Sequence, residues 1–150
     1  MKKAAILLLA TLLPLPLFAT NQTNNVSAEQ VLYYINQYRS EHHLQPLKLD
    51  SRMSEQARLH SLDMATHKVP FGHDGFRNRI GIIYKQVNSP RGGAENVAYN
   101  YKTAQDVVYN WVRSPGHQRN IVGNYNLTGI GIVRDSQGKL YYTQLFVRAG

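Results

Sequence analysis

Apolar positions recur with a helical period along the first part of the chain and with a strand period from Leu127 onward. Val31, Tyr34, Ile35 and Tyr38 fall at i, i+3, i+4 and i+7, predicting a first helix over residues 28–42. Ser27 and Gln30 stand three apart at its start, the spacing of a capping box. Residues 44–49 contain Pro46 and read as an extended connector. Asp50 or Ser51 can then cap a second helix over 52–67, with Met53, Ala57, Leu59 or His60, and Met64 as inward positions. Val69-Pro70 stops it. Asp74 is a candidate cap for a short third helix over 75–83. Residues 84–93, with Asn88-Ser89-Pro90 and Gly92-Gly93, read as irregular. Thr103 opens a fourth helix carrying Val107, Val108, Trp111 and Val112. Ser114-Pro115 begins another turn, with proline at the first helical position. Residues 127–133 and 140–147 read as two strands joined by Asp135-Ser136-Gln137-Gly138. Helices first and an antiparallel pair last give an α+β domain.

The first nineteen residues stand apart from this pattern. A basic Met1-Lys2-Lys3 head, an apolar run from Ala4 to Leu13 and a small residue at Ala19 have the form of a secretory signal peptide, residues 1–19. The run is too short for an ordinary transmembrane helix, and no segment after it is apolar enough to span a bilayer. Residues 20–26 are polar and read as a flexible N-terminus, which leaves 27–150 as one domain. The chain contains no cysteine, so an exported form has neither disulfides nor a thiolate metal site. Its formal charge of +8 falls to +6 without Lys2 and Lys3. The arginines, Arg39, Arg79 and Arg91 among them, are dispersed and read as a solvated basic surface. With no nucleic-acid-binding motif, no nucleic acid partner is expected. The expected state is a monomer.

The chemistry concentrates between His73 and Asn120. His117 follows Ser114-Pro115-Gly116, at the positive end of a helix, where the ring tends to stay neutral and can serve as a metal ligand or a base. A purely local packing role is the alternative. Gly116 beside it removes side-chain bulk. His73 lies between glycines in Phe71-Gly72-His73-Asp74-Gly75, as a cleft group or as an exposed loop residue. Glu95 follows Gly92-Gly93-Ala94 and precedes apolar residues, so its carboxylate should be buried and partnered, by a backbone N–H, Arg91 or a histidine. His42, His43, His60 and His67 have no ligand spacing and read as surface or packing residues. No H-E-x-x-H, G-x-S-x-G or P-loop motif occurs.

Taken in order, A-R-L-H-S-L-D-M-A (57–65), F-G-H-D-G-F (71–76), G-A-E-N-V-A (93–98), W-V-R-S-P-G-H-Q-R-N-I (111–121), G-I-G-I (129–132) and Y-Y-T-Q-L-F (141–146) resemble the CAP superfamily. This is the group of cysteine-rich secretory, antigen-five and pathogenesis-related proteins, and the likeness is to its short cysteine-free bacterial type. The resemblance implies a three-layer α-β-α sandwich with a small, mainly antiparallel sheet and a central cleft. In the family two histidines and two glutamates line that cleft, and the histidines can bind a divalent metal, often zinc. The matching positions here are His73, His117 and Glu95; the second glutamate, expected after the helix tryptophan, is missing, since Val112, Arg113 and Ser114 follow Trp111. The expectation is an exported, secreted or periplasmic protein that binds Zn²⁺ through His73 and His117, with Glu95 as their hydrogen-bonding partner. Its ligand would be a lipid, a cell-envelope component or a host-surface molecule. The alternative is a metal-dependent hydrolase in which Glu95 acts as the base.

Overall fold

A computed structural model describes residues 25–150. The expected signal peptide lies outside the described residues, as do residues 20–24 of the expected flexible segment. The described elements are α1 (Ala28–Glu41), β1 (Lys48–Leu49), α2 (Ser51–Ala65), α3 (Phe76–Tyr84), β2 (Arg91–Tyr99), α4 (Ala104–Arg113), α5 (Pro115–Ile121), β3 (Leu127–Arg134) and β4 (Leu140–Arg148). The strands form one sheet in the order β1-β3-β4-β2. β4 is antiparallel to both neighbours, and only the two-residue β1 runs parallel to its partner β3.

The helices divide between the two faces. Val31 and Ile35 of α1, Val107 and Trp111 of α4 and Ile121 of α5 close over Ile130, Tyr142 and Phe146. On the opposite face Met53 of α2 and Ile83 of α3 meet Leu145 and Val147, and Met64 meets Val97 and Tyr141. The architecture is therefore the α-β-α sandwich implied by the resemblance. β4 is its central strand and is buried from Leu140 to Val147 on both faces, each large apolar side chain contributing roughly 2–3 kcal/mol. That is why polar and apolar residues do not alternate along it, Thr143 and Gln144 being buried with the rest.

The local chemistry explains most boundaries. The capping box at α1 forms as expected, Ser27 Oγ accepting from Gln30 N and Gln30 Oε1 from Ser27 N. Asp50, not Ser51, caps α2, accepting from the N–H groups of Arg52 and Met53. The candidate cap Asp74 does not cap α3: Gly75 takes that position with φ +77°, a conformation glycine adopts without strain, and no side chain caps the helix. Of the alternatives offered for α2, His60 is buried and Leu59 is exposed.

Two expectations are corrected. Residues 91–99 form a full strand, although 84–93 read as irregular. Ala94 to Ala98 are buried on both sides of β2, so no two-residue alternation marks the strand. Gly92 sits at φ +59° beside a register shift at Arg91/Gly93, where the strand begins with a bulge. The dispersed cations also include two that are not solvated: Arg39 and Arg79 are both buried. Arg39 Nη1 donates to the carbonyls of Ile121 and Gly123, Nη2 to Tyr125 and Nε to Gln45. The guanidinium thereby neutralises the carbonyl end of α5 and fixes the turn into β3.

α2 lies directly on β3 because two positions there have no side chain. A Cβ at Gly129 would overlap the backbone of Met53 and Ser54, and one at Gly131 would overlap that of Ala57 and Arg58. Ser61 Oγ completes the seam, donating to the Gly131 carbonyl at 2.9 Å. Gly131→Ala should therefore force α2 off the sheet and cost about 3 kcal/mol or more in urea unfolding. A loss below about 0.5 kcal/mol would show that the helix does not seat on those glycines.

Candidate functional site

β2 is an outer strand, and the site is built around its free edge. Ala94 and Ala98 face the α1/α4/α5 layer, whereas Val97 packs toward the α2 side. Glu95 shares the parity of Val97 and meets α3. Arg79 donates through Nε to Oε2 and through Nη2 to Oε1, both at 2.9 Å, inside the protein. Arg79 also donates from Nη1 to the Asp74 carbonyl at 2.7 Å. Glu95 is therefore buried and partnered as expected. Of the partners considered a histidine is present, Arg91 is not, and Arg79 is the one the sequence reading missed. Arg79 sits at i+3 from Phe76 and i−4 from Ile83, on the inward stripe of α3, which was a usable signal.

His73 Nδ1 lies 2.9 Å from Glu95 Oε1. The carboxylate also accepts from Arg79 and has no proton to offer, so His73 must be the donor. This fixes the proton of a neutral His73 on Nδ1 and leaves the Nε2 lone pair free. The side chain is about half exposed (54%), while that of Glu95 is at 2%.

His60 supplies the third support. Its buried ring places Nε2 2.8 Å from the carbonyl of Gly72, the residue before His73, and 4.0 Å from Glu95 Oε1. Burial, reinforced by the Arg79 charge, lowers its pKa below the ordinary 6.5, so the neutral ring donates Nε2–H to Gly72. The reading of His60 as a packing residue holds, and its hydrogen bond also sets the loop that carries His73.

His117 comes from the other helical layer. Ser114 stands between α4 and α5 with Pro115 at the start of α5, as the sequence predicts, but its side chain makes no capping bond. Asn96 Nδ2 donates to the His117 carbonyl at 3.2 Å, and Asn120 Nδ2 donates to Asn96 Oδ1 at 2.8 Å. The His117 ring lies 6.4 Å from that of Trp111, centroid to centroid. Burial, then the neighbouring His73, lowers its pKa. The space beside Gly116 is open, so the protein's own packing does not demand glycine there.

His73 and His117 both line a cleft of about 460 Å³ along the free edge of β2, with Phe71, Tyr99, Tyr101 and Ser114. Trp111 Nε1 and Asn120 Nδ2 donate to the outward carbonyls of Val97 and Glu95, which occupies acceptors an outer strand would otherwise expose. Glu95 itself stands behind His73 and not in the cleft lining. Among the described residues no group of three or more His, Asp or Glu side chains is arranged to hold a metal ion. The donors available to one are His73 Nε2 and the His117 ring; both Glu95 oxygens are engaged by Arg79.

A model of the CAP cysteine-rich secretory protein family matches residues 32–146. The chain belongs to that family. It has no cysteine. It is 34% identical to the Bacillus subtilis protein YkwD over 137 residues, covering 85% of this chain and 50% of YkwD. It spans half or less of the length of the curated relatives it matches. An extracellular SCP-domain protein of Bacillus anthracis superposes with a TM-score of 0.69 at 26% identity, over 80% of this chain and 39% of that one. An outer surface protein of Borrelia burgdorferi has the same fold, with a TM-score of 0.67 at 18% identity over 81% of this chain and 92% of its own. Among the described residues of this CAP domain no helix is long and apolar enough to cross a membrane.

Because His60 has a lowered pKa in the folded protein, the unfolded chain takes up the proton first on acidification. Its contribution to stability is thus complete above the ordinary value of 6.5 and is lost progressively as pH falls from there through the lower folded value. Urea unfolding between about pH 7 and pH 5 should show stability falling with acid, and His60→Gln should flatten that slope. An identical slope in wild type and variant would contradict a buried neutral His60.

Proposed function

We propose that this CAP domain is exported and works as a binding protein, holding a divalent metal such as Zn²⁺ through His73 and His117 and an envelope or host-surface ligand in the same cleft. The observation that carries the reading is the Arg79–Glu95–His73 chain. A carboxylate bonded to the Nδ1–H of a half-exposed imidazole, leaving Nε2 as the lone-pair donor, is the arrangement that backs metal-binding histidines generally. The His117 ring, kept neutral by burial, is the second donor. Two imidazoles fit an ion whose remaining positions are filled by water or by a ligand's oxygen atoms. Bound there, a zinc ion would supply a Lewis-acidic centre for an oxygen or nitrogen donor of the ligand.

Binding is favoured over hydrolysis by the state of Glu95. A general base needs an oxygen within reach of the proton it takes, and both Glu95 oxygens accept from Arg79 behind His73. Export is supported by the signal-like segment 1–19 and by the likeness to an extracellular Bacillus anthracis protein.

Calorimetric zinc titration of wild type and of His73→Ala/His117→Ala at neutral pH tests the reading. Micromolar binding that disappears in the double variant is expected. Equal heats from the two proteins would refute the metal site.

A further inference from the structure

We infer that the cleft's ligand is an oligosaccharide, held by pyranose rings stacking on Phe71 and Tyr99 at the rim; this rests on the binding-protein reading above and names its ligand class. Phe71 and Tyr99 are large aromatic residues left 49% and 47% exposed, in contact with ring centroids 4.9 Å apart and their planes inclined at 58°, so the rim offers two faces at an angle and not one flat platform. Tyr99 is backed by the buried Tyr141, nearly parallel at 23° and 5.7 Å. Tyr99 is thus fixed by a partner inside the protein, so little freedom remains to be lost when a ligand lands on it. Both residues line the same cleft as His73 and His117.

The remaining lining decides what such a rim can take. Ser114 Oγ and Asn110 Oδ1 have no hydrogen-bond partner among the described residues, although both residues border the cleft beside the two imidazoles. Aromatic faces beside unpaired donors and acceptors match a sugar ring, which has an apolar C–H face and a girdle of hydroxyl groups. A lipid tail would desolvate the imidazoles and hydroxyl without pairing them, at a cost each time. A peptide adding as a strand would need the outer carbonyls of β2, and Trp111 and Asn120 already occupy those of Val97 and Glu95. The cleft of about 460 Å³ accommodates a short stretch of glycan and not a folded partner.

Pyranoses with equatorial substituents expose the flattest C–H face. The probe is therefore the β-1,4-linked tetramer of N-acetylglucosamine, titrated by calorimetry and NMR with and without zinc. The expected result is a Kd of about 1 mM or tighter for wild type, weakened roughly fivefold or more by Tyr99→Ala and by Phe71→Ala. Tyr99→Phe, which keeps the ring and removes only the hydroxyl, should stay within about twofold of wild type. Zinc binding should be unchanged in Tyr99→Ala, which shows that the variant retains the cleft. No glycan binding at about 10 mM overturns the inference, as does equal affinity in the alanine variants. Tyr99-dependent binding to phosphatidylglycerol vesicles in place of the tetramer would overturn it in favour of a lipid. Zinc bound without glycan removes this inference alone, whereas glycan bound without zinc removes the metal site and leaves the sugar site standing.

Discussion

The site depends on one buried carboxylate. Placing Glu95 inside the protein costs several kcal/mol of lost hydration, and only good geometry repays it. Arg79 meets both oxygens and is itself anchored to the carbonyl of Asp74. Removing either partner would strand a charge in the interior, a loss of about 3–5 kcal/mol in comparable pairs. The pair therefore ties β2 to α3 and to the loop between α2 and α3. His60 pins that same loop from α2 through the Gly72 carbonyl. His73 is half exposed, yet its backbone and its Nδ1 are both held by groups that are not.

The sheet order turns this local structure into a cleft. β2 ends the sheet on one side, so both helical layers can reach past it. His73 arrives from the α2/α3 side and His117 from the α4/α5 side. Asn96, in between, faces α5 and donates to the His117 backbone, while its neighbour Glu95 faces α3 and holds His73. Two adjacent residues of one strand thus position the two imidazoles through opposite faces, as the pleat requires. The same helices supply the donors from Trp111 and Asn120 that blunt the outer edge, which keeps an open strand next to a binding cleft from pairing with other chains.

Much of the fold was legible because amphipathic helices announce their period and their caps. Ser27, Asp50, Pro115 and the Asp135–Gly138 turn all act as their residue types predict. β2 escaped because burial on both faces erases the alternation by which a strand is read, and the glycines at its start suggested a loop. His73, Glu95 and His117 could be named from motif order, but their supports could not. Nothing in composition separates the buried Arg79 from the exposed Arg77 two residues earlier; only the helical phase of Phe76, Arg79 and Ile83 does. His60 looked like packing because its work is one hydrogen bond to a backbone carbonyl distant in the chain. Arg39 was hidden for the same reason, since its partners are the carbonyls of Gln45, of the last residue of α5 and of the turn after it.

The most direct measurement is the tautomer of His73, read from long-range ¹⁵N–¹H correlations of the imidazole rings in solution well above the histidine pKa range. The Arg79–Glu95–His73 geometry predicts a protonated, pyrrole-type Nδ1 and a pyridine-type Nε2. A His73 ring protonated on Nε2 would mean that Glu95 does not hold it, and that the cleft presents no prearranged lone pair to a metal or a ligand.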